Sequence, residues 1–325
     1  IADEAISLIK MVIEPRPVVS NPMLAAQPDA EKLHEKGNLL KKIKVGKGNL
    51  DEGFAQSDVI VEHTFFTPFM EHLFMEPECS IAVSREDGGM DVYAGSQIPY
   101  EDRRQVAEAL GLEPERVRIR GQKTGGAFGG KEDIAGQIHA ALLAEATGKP
   151  VKLLFTRRES MMVHPKRHAT WTKIKLGAKQ NGALMAAKTV IYGDTGAYAS
   201  LGVAVLTRAT THSCGPYIIP NTLSECYAMY TNNPPAGAFR GFGVVQAMFG
   251  IESAMDMLAE KLGMDPLALR EINALHKGSE TNTGHRLEES VGFPECLEVL
   301  GTRLSELGVS DPWTPQEEEL DGRKV

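Results

Sequence analysis

The amino-acid sequence predicts an α+β fold, and three observations lead to this prediction. Two glycine-rich segments, at 124–133 and 232–243, each lie between a strand pattern and a helix pattern. The dipeptide Asn181-Gly182 separates two alternating runs, which is a strong signal for an antiparallel hairpin. The chain has 325 residues and 42% hydrophobic content, enough for a core in one large domain or two smaller ones.

The first part of the chain is expected to begin with the tail of a preceding domain. Residues 1–20 predict a short helix and then a strand at Met11–Ile13. Residues 21–50 are polar, include Lys41, Lys42, Lys44 and Lys47, and are interpreted as a linker with a solvated surface. The patterns that follow predict a brief helix after Asn49, a strand at 59–66, two strands within 79–95, a helix at 100–110 that stops at Gly111, and a strand at 117–120.

The second part of the chain is expected to contain the hairpin and most of the helices. Residues 194–208, rich in glycine and alanine, are interpreted as an ordered loop, and Met161 and Met162 as core residues of a short helix. An acidic tail at 317–325 is expected to be frayed. The remaining patterns predict strands at 151–155, 172–176, 184–192 and 223–231, a helix from 244 to a stop at Gly263, a helix begun by Asp265-Pro266, and a last helix at 294–307.

The segment Thr124–Asp133 is the strongest candidate for a binding loop. It has four glycines in ten residues, and a helical pattern that ends at Gly148 follows it. Glycine lets the backbone approach a ligand closely, and free amides near a helix N-terminus suit an anionic group. Gly125, Gly130 and Lys131 match a nucleotide loop, but Glu132 replaces the required Ser or Thr. A turn without any ligand is the other interpretation that this segment leaves open.

Composition limits the classes of partner. The net charge is −8 and no long basic block occurs, which argues against nucleic acid. No apolar run approaches the ~20 residues of a membrane span. The four cysteines are scattered without a C-x-x-C pair, which argues against zinc or iron–sulfur ligation and fits a reducing, cytoplasmic location. Because the chain starts at Ile1 within a helical pattern, we expect it to be processed or cut from a longer chain.

Three motifs together resemble one family. The segment TGGAFGGKED at 124–133, GAFRGFG at 237–243 and the Ser96-Gln97 loop are similar to the molybdenum-binding part of the xanthine dehydrogenase and aldehyde oxidase family. The resemblance covers roughly residues 1–310 and favours the bacterial purine-type, including selenium-dependent, xanthine dehydrogenases. It implies that 1–20 end a preceding α/β hammerhead domain and that 21–325 form the first molybdopterin-binding domain.

The resemblance also implies a reaction, cofactors and partners. Members of the family hydroxylate an electron-poor carbon with oxygen from water, and electrons leave through the pterin to iron–sulfur clusters and FAD. We therefore expect a molybdopterin with molybdenum, in its cytosine dinucleotide form, held without direct ligation by a protein side chain. The clusters and FAD are expected on partner chains or domains. The family's general-base glutamate lies downstream of this chain, so a second molybdenum-domain chain is an expected partner.

Five residues are implied to contact the cofactor. By resemblance, the Gln97 side chain would donate a hydrogen bond to an oxo ligand on molybdenum. The backbone around Gly126, Phe128 and Gly129 would line the metal and pterin, and Arg240 would lie against the cofactor.

Three residues are implied to contact the substrate. Phe242 would meet an aromatic ring, while Glu132 and Arg208 match the positions where purine-hydroxylating members hold the heterocycle. The resemblance thus implies a xanthine- or hypoxanthine-like substrate and a catalytic role for Glu132 and Arg208. From position alone, Arg208 is more often a surface or salt-bridged residue than a ligand, and a carboxylate favoured by a helix N-terminus is the alternative for Glu132.

Several alternatives remain open at the level of sequence. The same family includes enzymes for aldehydes, nicotinate-like rings and aromatic CoA thioesters. Gly241 occupies the segment where carbon monoxide dehydrogenases carry a copper-binding cysteine, which argues against that reaction. A non-catalytic partner or assembly subunit with the same fold, and a nucleotide-binding protein, are alternatives from other classes. The chain is either one subunit of a split enzyme or a fragment.

Overall fold

The computed structural model describes residues 2–309, 319–320 and 323–324, and it confirms the α+β fold. Two mixed β-sheets are covered by helices, and residues 319–320 and 323–324 form a separate two-stranded sheet. The helices are α1 Ala2–Ser7, α2 Pro22–Ala25, α3 Leu50–Ala55, α4 Pro99–Leu110, α5 Gln137–Thr147, α6 Arg157–Val163, α7 Gly202–Thr211, α8 Val244–Leu262, α9 Pro266–Asn273 and α10 Phe293–Glu306. The strands are β1 Leu39–Lys47, β2 Val59–Thr67, β3 Cys79–Ser84, β4 Met90–Ala94, β5 Val117–Gly121, β6 Val151–Leu154, β7 Ala169–Ala178, β8 Leu184–Gly196, β9 Asn221–Tyr230, β10 Glu319–Leu320 and β11 Arg323–Lys324.

The larger sheet has five strands in the order β1-β9-β8-β7-β2. Its β8 and β9 are parallel and are joined through α7, because parallel neighbours need a crossover connection. The helices α7 and α8 pack on one face of this sheet. Leu176 of β7, Leu206 of α7 and Met255 of α8 are fully buried there, which makes this layer the main core of the molecule.

The smaller sheet has four strands in the order β5-β4-β3-β6. Here β4 and β5 are the parallel pair, and α4 connects them. Val92 of β4, Val106 of α4 and Ala140 of α5 are buried in one cluster, so α4 and α5 cover this sheet.

The local signals that end or begin elements are confirmed. Asn49 and Asp265 cap the N-termini of α3 and α9 through side-chain oxygens that accept backbone N–H bonds. Gly111 and Gly263 close α4 and α8 in the left-handed conformation. The turn at 181–182 joins β7 and β8 as an antiparallel hairpin.

Five predictions from the sequence are wrong. Met11–Ile13 form no strand, and the supposed linker at 21–50 contains α2 and β1, which pairs with β9 and places lysines on an edge strand. The supposed loop at 194–208 is the end of β8 and most of α7. Met161 and Met162 of α6 are 44% and 65% exposed rather than core residues. The central glycine loop also does not lead directly into a helix, since a 3-10 turn at Gly130–Glu132 precedes α5.

The acidic tail predicted at 317–325 lies largely outside the described residues. Among the residues that the structure describes, no helix combines the length and the apolar character needed to cross a bilayer.

We expect the buried Met255 and the exposed Met162 to differ sharply in their contribution to the free energy of unfolding. Met255→Ala removes a fully buried side chain of α8 and should lower the free energy of unfolding by about 2–5 kcal/mol. Met162→Ala, at an exposed site of α6, is the control and should change it by less than about 0.5 kcal/mol. Urea unfolding of the 325-residue chain followed by circular dichroism measures both, and similar losses for the two variants would contradict the assignment of the core.

Candidate cofactor and substrate site

A cleft of about 350 Å³ lies where loops from both sheets meet. It contains six residues that the sequence singled out, in three separate segments of the chain. The lining residues are Gln97, Phe128, Gly129, Glu132, Ala238, Phe239, Arg240, Gly241 and Phe242. The structure therefore brings the Ser96-Gln97 loop and the two glycine-rich segments together.

The two glycine-rich segments are in direct contact. The Arg240 N–H donates to the Phe128 carbonyl oxygen at 2.8 Å. Gly129 has φ +99°, and a Cβ atom there would lie 3.0 Å from the carbonyl carbon of Ala238. Only glycine combines this backbone conformation with so close an approach. The contact between the segments thus depends on the absence of a side chain at Gly129.

The first segment presents free backbone donors. Within the described part of the chain, the N–H groups of residues 126–129 donate to no protein acceptor. Phe128 has φ +54°, which is uncommon for a residue with a side chain, and its ring is 52% exposed. Such left-handed positions cost energy and concentrate at binding sites. Consecutive free N–H groups beside a left-handed residue suit an anionic ligand.

Gly126 stands slightly apart from the cleft. It is not among the lining residues, and a Cβ atom there would make ordinary contacts with the side chains of Phe74 and Phe128. Any contact of Gly126 with a ligand would therefore come from its backbone.

Gln97 is fixed through its oxygen and leaves its amide nitrogen available. The side-chain Oε1 of Gln97 accepts from the backbone N–H of Lys131 at 3.2 Å. The backbone N–H of Gln97 donates to the Lys131 carbonyl oxygen at 3.0 Å. Because Gln97 lines the cleft, this orientation leaves its side-chain Nε2 free to donate hydrogen bonds there.

Lys131 does not serve the cleft as the lysine of a nucleotide loop would. Its side chain is buried, and its Nζ lies 3.2 Å from Glu76 and 5.0 Å from the centre of the Phe74 ring. Because this charge is paired internally, the near match to a nucleotide motif does not carry the function of one.

Glu132 and Arg208 approach the cleft from different elements. Glu132 is half-buried at the end of the 3-10 turn, and burial followed by the nearby Asp133 carboxylate raises its pKa. It lies before α5 begins, so it is not the N-terminal carboxylate of that helix. Arg208 is exposed on α7, and its guanidinium carbon lies 5.6 Å from the centre of the Phe242 ring.

The helix α7 is held against the second glycine-rich segment. A Cβ atom at Gly243 would overlap the carbonyl oxygen of Val205, and Gly243 has φ +93°. The neighbouring Phe242 has φ +46°, a second left-handed residue with a large side chain. Close packing at Gly243 thus fixes Arg208 beside Phe242, although Arg208 itself does not line the cleft.

Comparisons with known proteins identify the family to which the chain belongs. A family model described as the molybdopterin cofactor-binding domain matches residues 33–274. The chain is 42% identical over 298 residues to the nicotinate dehydrogenase large molybdopterin subunit of Eubacterium barkeri, covering 92% of this chain and 70% of that protein. It belongs to the molybdenum-binding xanthine dehydrogenase and aldehyde oxidase family.

Two further relatives place the chain within larger proteins of this family. It is 41% identical over 300 residues to a probable xanthine dehydrogenase subunit of Bacillus subtilis, covering 92% of this chain and 40% of that protein. The solved aldehyde oxidoreductase of Desulfovibrio gigas superimposes with a TM-score of 0.89 at 31% identity, covering 94% of this chain and 34% of that one. The chain therefore spans well under half the length of these two relatives.

Below the cleft of this molybdopterin-binding domain lies a histidine cluster that the sequence did not reveal. His72 donates from Nε2 to the Ala238 carbonyl oxygen at 2.7 Å, and His164 donates from Nε2 to the Gly130 carbonyl oxygen at 2.9 Å. Each glycine-rich segment is thus held by one buried histidine. Glu71 lies 3.3 Å from Nδ1 of His164, and its other oxygen lies 2.5 Å from Nζ of Lys166. The cluster supports the backbone from which the cleft is built.

Arg167 and Phe239 extend this support toward the cleft. The guanidinium carbon of Arg167 lies 3.9 Å from the centre of the Phe239 ring, and its Nη2 donates to the Arg240 carbonyl oxygen at 2.9 Å. The Phe239 ring stacks on His72 at 3.9 Å. These residues are far apart in sequence, and no local pattern distinguishes them from ordinary surface or core positions. Only their common position under the two segments could have identified them.

The buried His72 should make the stability of the domain depend on pH. Burial, followed by smaller effects, lowers its pKa from 6.5 to about 4. Between these two values the unfolded chain binds a proton that the native chain does not, so the free energy of unfolding falls as the pH is lowered. The stabilising contribution of the neutral His72 side chain is complete above pH 6.5 and is lost as the pH falls toward 4.

We expect His72→Gln to flatten this dependence between pH 6.5 and 4, by up to about 1.4 kcal/mol per pH unit. Urea unfolding at several pH values measures the effect, with His139→Gln, at an exposed position of α5, as the control. An unchanged slope in His72→Gln would show that this histidine is not buried in its neutral form.

Proposed function

We propose that this chain forms one wall of the molybdenum cofactor site in an enzyme that hydroxylates a purine-like heterocycle, such as xanthine or hypoxanthine, with water as the oxygen source. The observation that carries the proposal is the single cleft where Gln97, Phe128, Gly129 and Arg240 meet the side chains of Glu132 and Phe242. Free amide donors, an orienting aromatic ring and a carboxylate are what such a reaction needs from one wall of the pocket.

The residues of the cleft fit a molybdopterin. When bound, this cofactor supplies the oxygen-transfer and two-electron redox chemistry, and its dithiolene holds the metal without a protein side chain. The unpartnered N–H groups of residues 126–129 and the Nε2 donor of Gln97 suit its oxo and phosphate groups. Arg240, exposed at the rim, adds a positive charge for an anionic cofactor. The chain thus binds and orients the cofactor and excludes water from one side of the pocket.

Recognition of the substrate rests on Phe242, Glu132 and Arg208. The left-handed backbone at Phe242 fixes its ring toward the cleft, where an aromatic heterocycle can stack or meet it edge-on. The Glu132 carboxylate, whose pKa is raised by burial and then by Asp133, can accept hydrogen bonds from ring N–H groups. Arg208 beside Phe242 can pair with carbonyl oxygens of the ring. These roles make Glu132 and Arg208 the candidate catalytic residues of the chain.

A nicotinate-like ring is the second candidate substrate. The relative from Eubacterium barkeri, 42% identical, is named a nicotinate dehydrogenase subunit. A guanidinium pairs with a ring carboxylate as well as with a purine carbonyl, so Arg208 serves either ring. An aldehyde or an aromatic CoA thioester would hydrogen-bond less with Glu132, because neither offers ring N–H groups.

The proposal includes partners and a location. The chain spans 70% and 40% of the two bacterial relatives. In the proposed enzyme, a second molybdenum-domain chain would supply the remaining wall of the pocket, with the general-base glutamate. An iron–sulfur subunit and an FAD subunit would remove the electrons, the cofactor would carry a cytosine dinucleotide, and the enzyme would work in the cytoplasm.

The domain boundary near residue 20 is part of the same proposal. Ile9, Met11, Val12 and Ile13 are all largely exposed, which fits a segment that belongs to the preceding hammerhead domain. Val19 exchanges hydrogen bonds with Asn232, a contact that supports a boundary near residue 20.

Metal and pterin analysis of the natively purified complex tests the cofactor assignment, and we expect molybdenum and a molybdopterin in stoichiometric amounts. Oxidation of hypoxanthine, nicotinate or an aldehyde with a dye as acceptor then identifies the substrate class. A complex that retains this chain but contains no molybdenum would instead support a non-catalytic assembly subunit.

Gln97→Ala should lower kcat in the assembled enzyme by ~10²–10³-fold, because a donor aimed at developing charge is lost. Its effect on the fold should be small, since the side chain is exposed. The control is Gln105→Ala on α4, where the amide donates to Glu101 and does not line the cleft, so the rate should not change. Steady-state kinetics and molybdenum content measure the two variants, and a normal kcat at full metal loading would remove Gln97 from the site.

Glu132→Gln and Arg208→Met should each reduce kcat/KM for the heterocyclic substrate by ~10²-fold, because a hydrogen-bonding group of the bound ring is left unpaired. The loss for a small aromatic aldehyde should be much smaller, as it offers fewer hydrogen-bonding groups. Matched controls are Glu108→Gln and Arg303→Met, at exposed sites on α4 and α10. Equal losses on both substrates would make Glu132 and Arg208 structural, whereas failure of the parent enzyme to oxidise any heterocycle would overturn the substrate assignment.

A further inference from the structure

Asp133 is a half-buried residue whose carboxylate the proposed chemistry does not use. It follows Glu132 directly at the end of the 3-10 turn. Burial raises its pKa, which the Ser200 hydrogen bond and the charge of His164 partly oppose. Its Oδ2 is buried and, within the described part of the chain, has no hydrogen-bond partner. A buried carboxylate of this kind costs stability, so its presence beside the cleft needs a reason.

The carboxylate of Asp133 touches the segment that leads into α7. Ser200 donates from Oγ to Oδ1 of Asp133. Ser200 has φ +41°, which is uncommon for a residue with a side chain. It lies two positions before α7, the helix that carries Arg208. The hydrogen bond therefore connects the turn that carries Glu132 to the helix that carries Arg208.

The same carboxylate lies against the second glycine-rich segment. A Cβ atom at Gly237 would overlap Oδ2 of Asp133 and would lie 2.9 Å from Oγ of Ser200. The Gly237 N–H donates to the Lys166 carbonyl oxygen at 2.9 Å, so this backbone is also held from its other side. Gly237 leads directly into the segment that contains Arg240 and Phe242. One side chain thus lies at the junction of the three segments that carry Glu132, Arg208 and Phe242.

From this junction we infer that Asp133 is a positioning residue, whose carboxylate, through Ser200 and against Gly237, sets the spacing of Glu132, Arg208 and Phe242 around the substrate ring. The inference rests on the proposed function, since the spacing matters only if these residues grip a heterocycle. Small misplacements of a bound ring are costly, since a shift of about 1 Å can reduce a rate by ~10²-fold. The charge of Asp133 also raises the pKa of Glu132, which couples the two neighbouring carboxyl groups.

The test compares Asp133→Leu with Asp133→Asn in the assembled enzyme. Leucine removes the acceptor for Ser200, whereas asparagine keeps an acceptor oxygen of the same reach. We expect Asp133→Leu to lower kcat/KM for the heterocycle by ~10–100-fold, mainly through kcat, and for a small aldehyde by less than about 3-fold. Asp133→Asn should retain most of the activity with both substrates.

Ser200→Ala provides the coupling measurement. If the two side chains act as a unit, the variant carrying both Asp133→Leu and Ser200→Ala should be no worse than Asp133→Leu alone. The control is Glu252→Leu, which removes a carboxylate that accepts from Tyr217 and Arg270 away from the cleft. This control should reduce stability without changing the ratio of kcat/KM between heterocycle and aldehyde. Additive losses in the double variant, or a changed ratio in Glu252→Leu, would overturn the inference.

Hydrogen exchange of the assembled enzyme gives a readout that does not depend on turnover. In Asp133→Leu we expect faster exchange at residues 198–204 and 236–242, and in Asp133→Asn we expect rates close to the parent. Unchanged exchange in both segments of Asp133→Leu overturns the positioning role even if the enzyme oxidises no heterocycle. Increased exchange in an enzyme without heterocycle oxidation would instead retain the positioning role and reject the proposed substrate.

Discussion

The site depends on one close contact, where the backbone at Gly129 meets the backbone at Ala238 with a Cβ position only 3.0 Å from the carbonyl carbon. A side chain at Gly129 would force the two segments apart and would break the bond from the Arg240 N–H to the Phe128 carbonyl oxygen. Because the cleft is the space beside this contact, its shape follows from the contact. The free N–H groups of the first segment are directed at an anionic ligand only as long as the second segment covers their opposite side.

The sheets explain why these segments meet. Each segment of the site follows the carboxyl end of a strand in a parallel pair: Gln97 follows β4, Glu132 follows β5, Arg208 follows β8 and Arg240 follows β9. Parallel neighbours end on the same side of a sheet, and loops at such ends commonly bind ligands. The antiparallel strands of both sheets extend the core without contributing to the cleft. Thus two crossover units, one in each sheet, supply the functional part of the molecule.

Support beneath the cleft comes from polar side chains that are expensive to bury. His72 and His164 each hold one glycine-rich segment through a carbonyl oxygen, and Lys166 balances the charge of Glu71. Lys131 is similarly paired with Glu76. Buried groups of this kind are tolerated because each has a partner, and they fix a backbone that lacks side chains of its own to pack. Left-handed phenylalanines at 128 and 242 remain in place because this framework determines their conformation.

The sequence by itself determined the fold class and most element boundaries, because caps, left-handed glycines and alternating strands are local signals. Asn49, Gly111 and the turn at 181–182 are examples. The candidate cleft residues came from the resemblance of its motifs to a family. The sequence failed where long-range pairing decides the outcome: β1 is a strand because β9 pairs with it, and α7 is a helix because its apolar face covers the larger sheet. Gln97, Glu132 and Arg240 were recognised from motifs, but only tertiary structure brought them to one cleft. His72, His164 and Asp133 act through contacts with distant backbone, which no local pattern records.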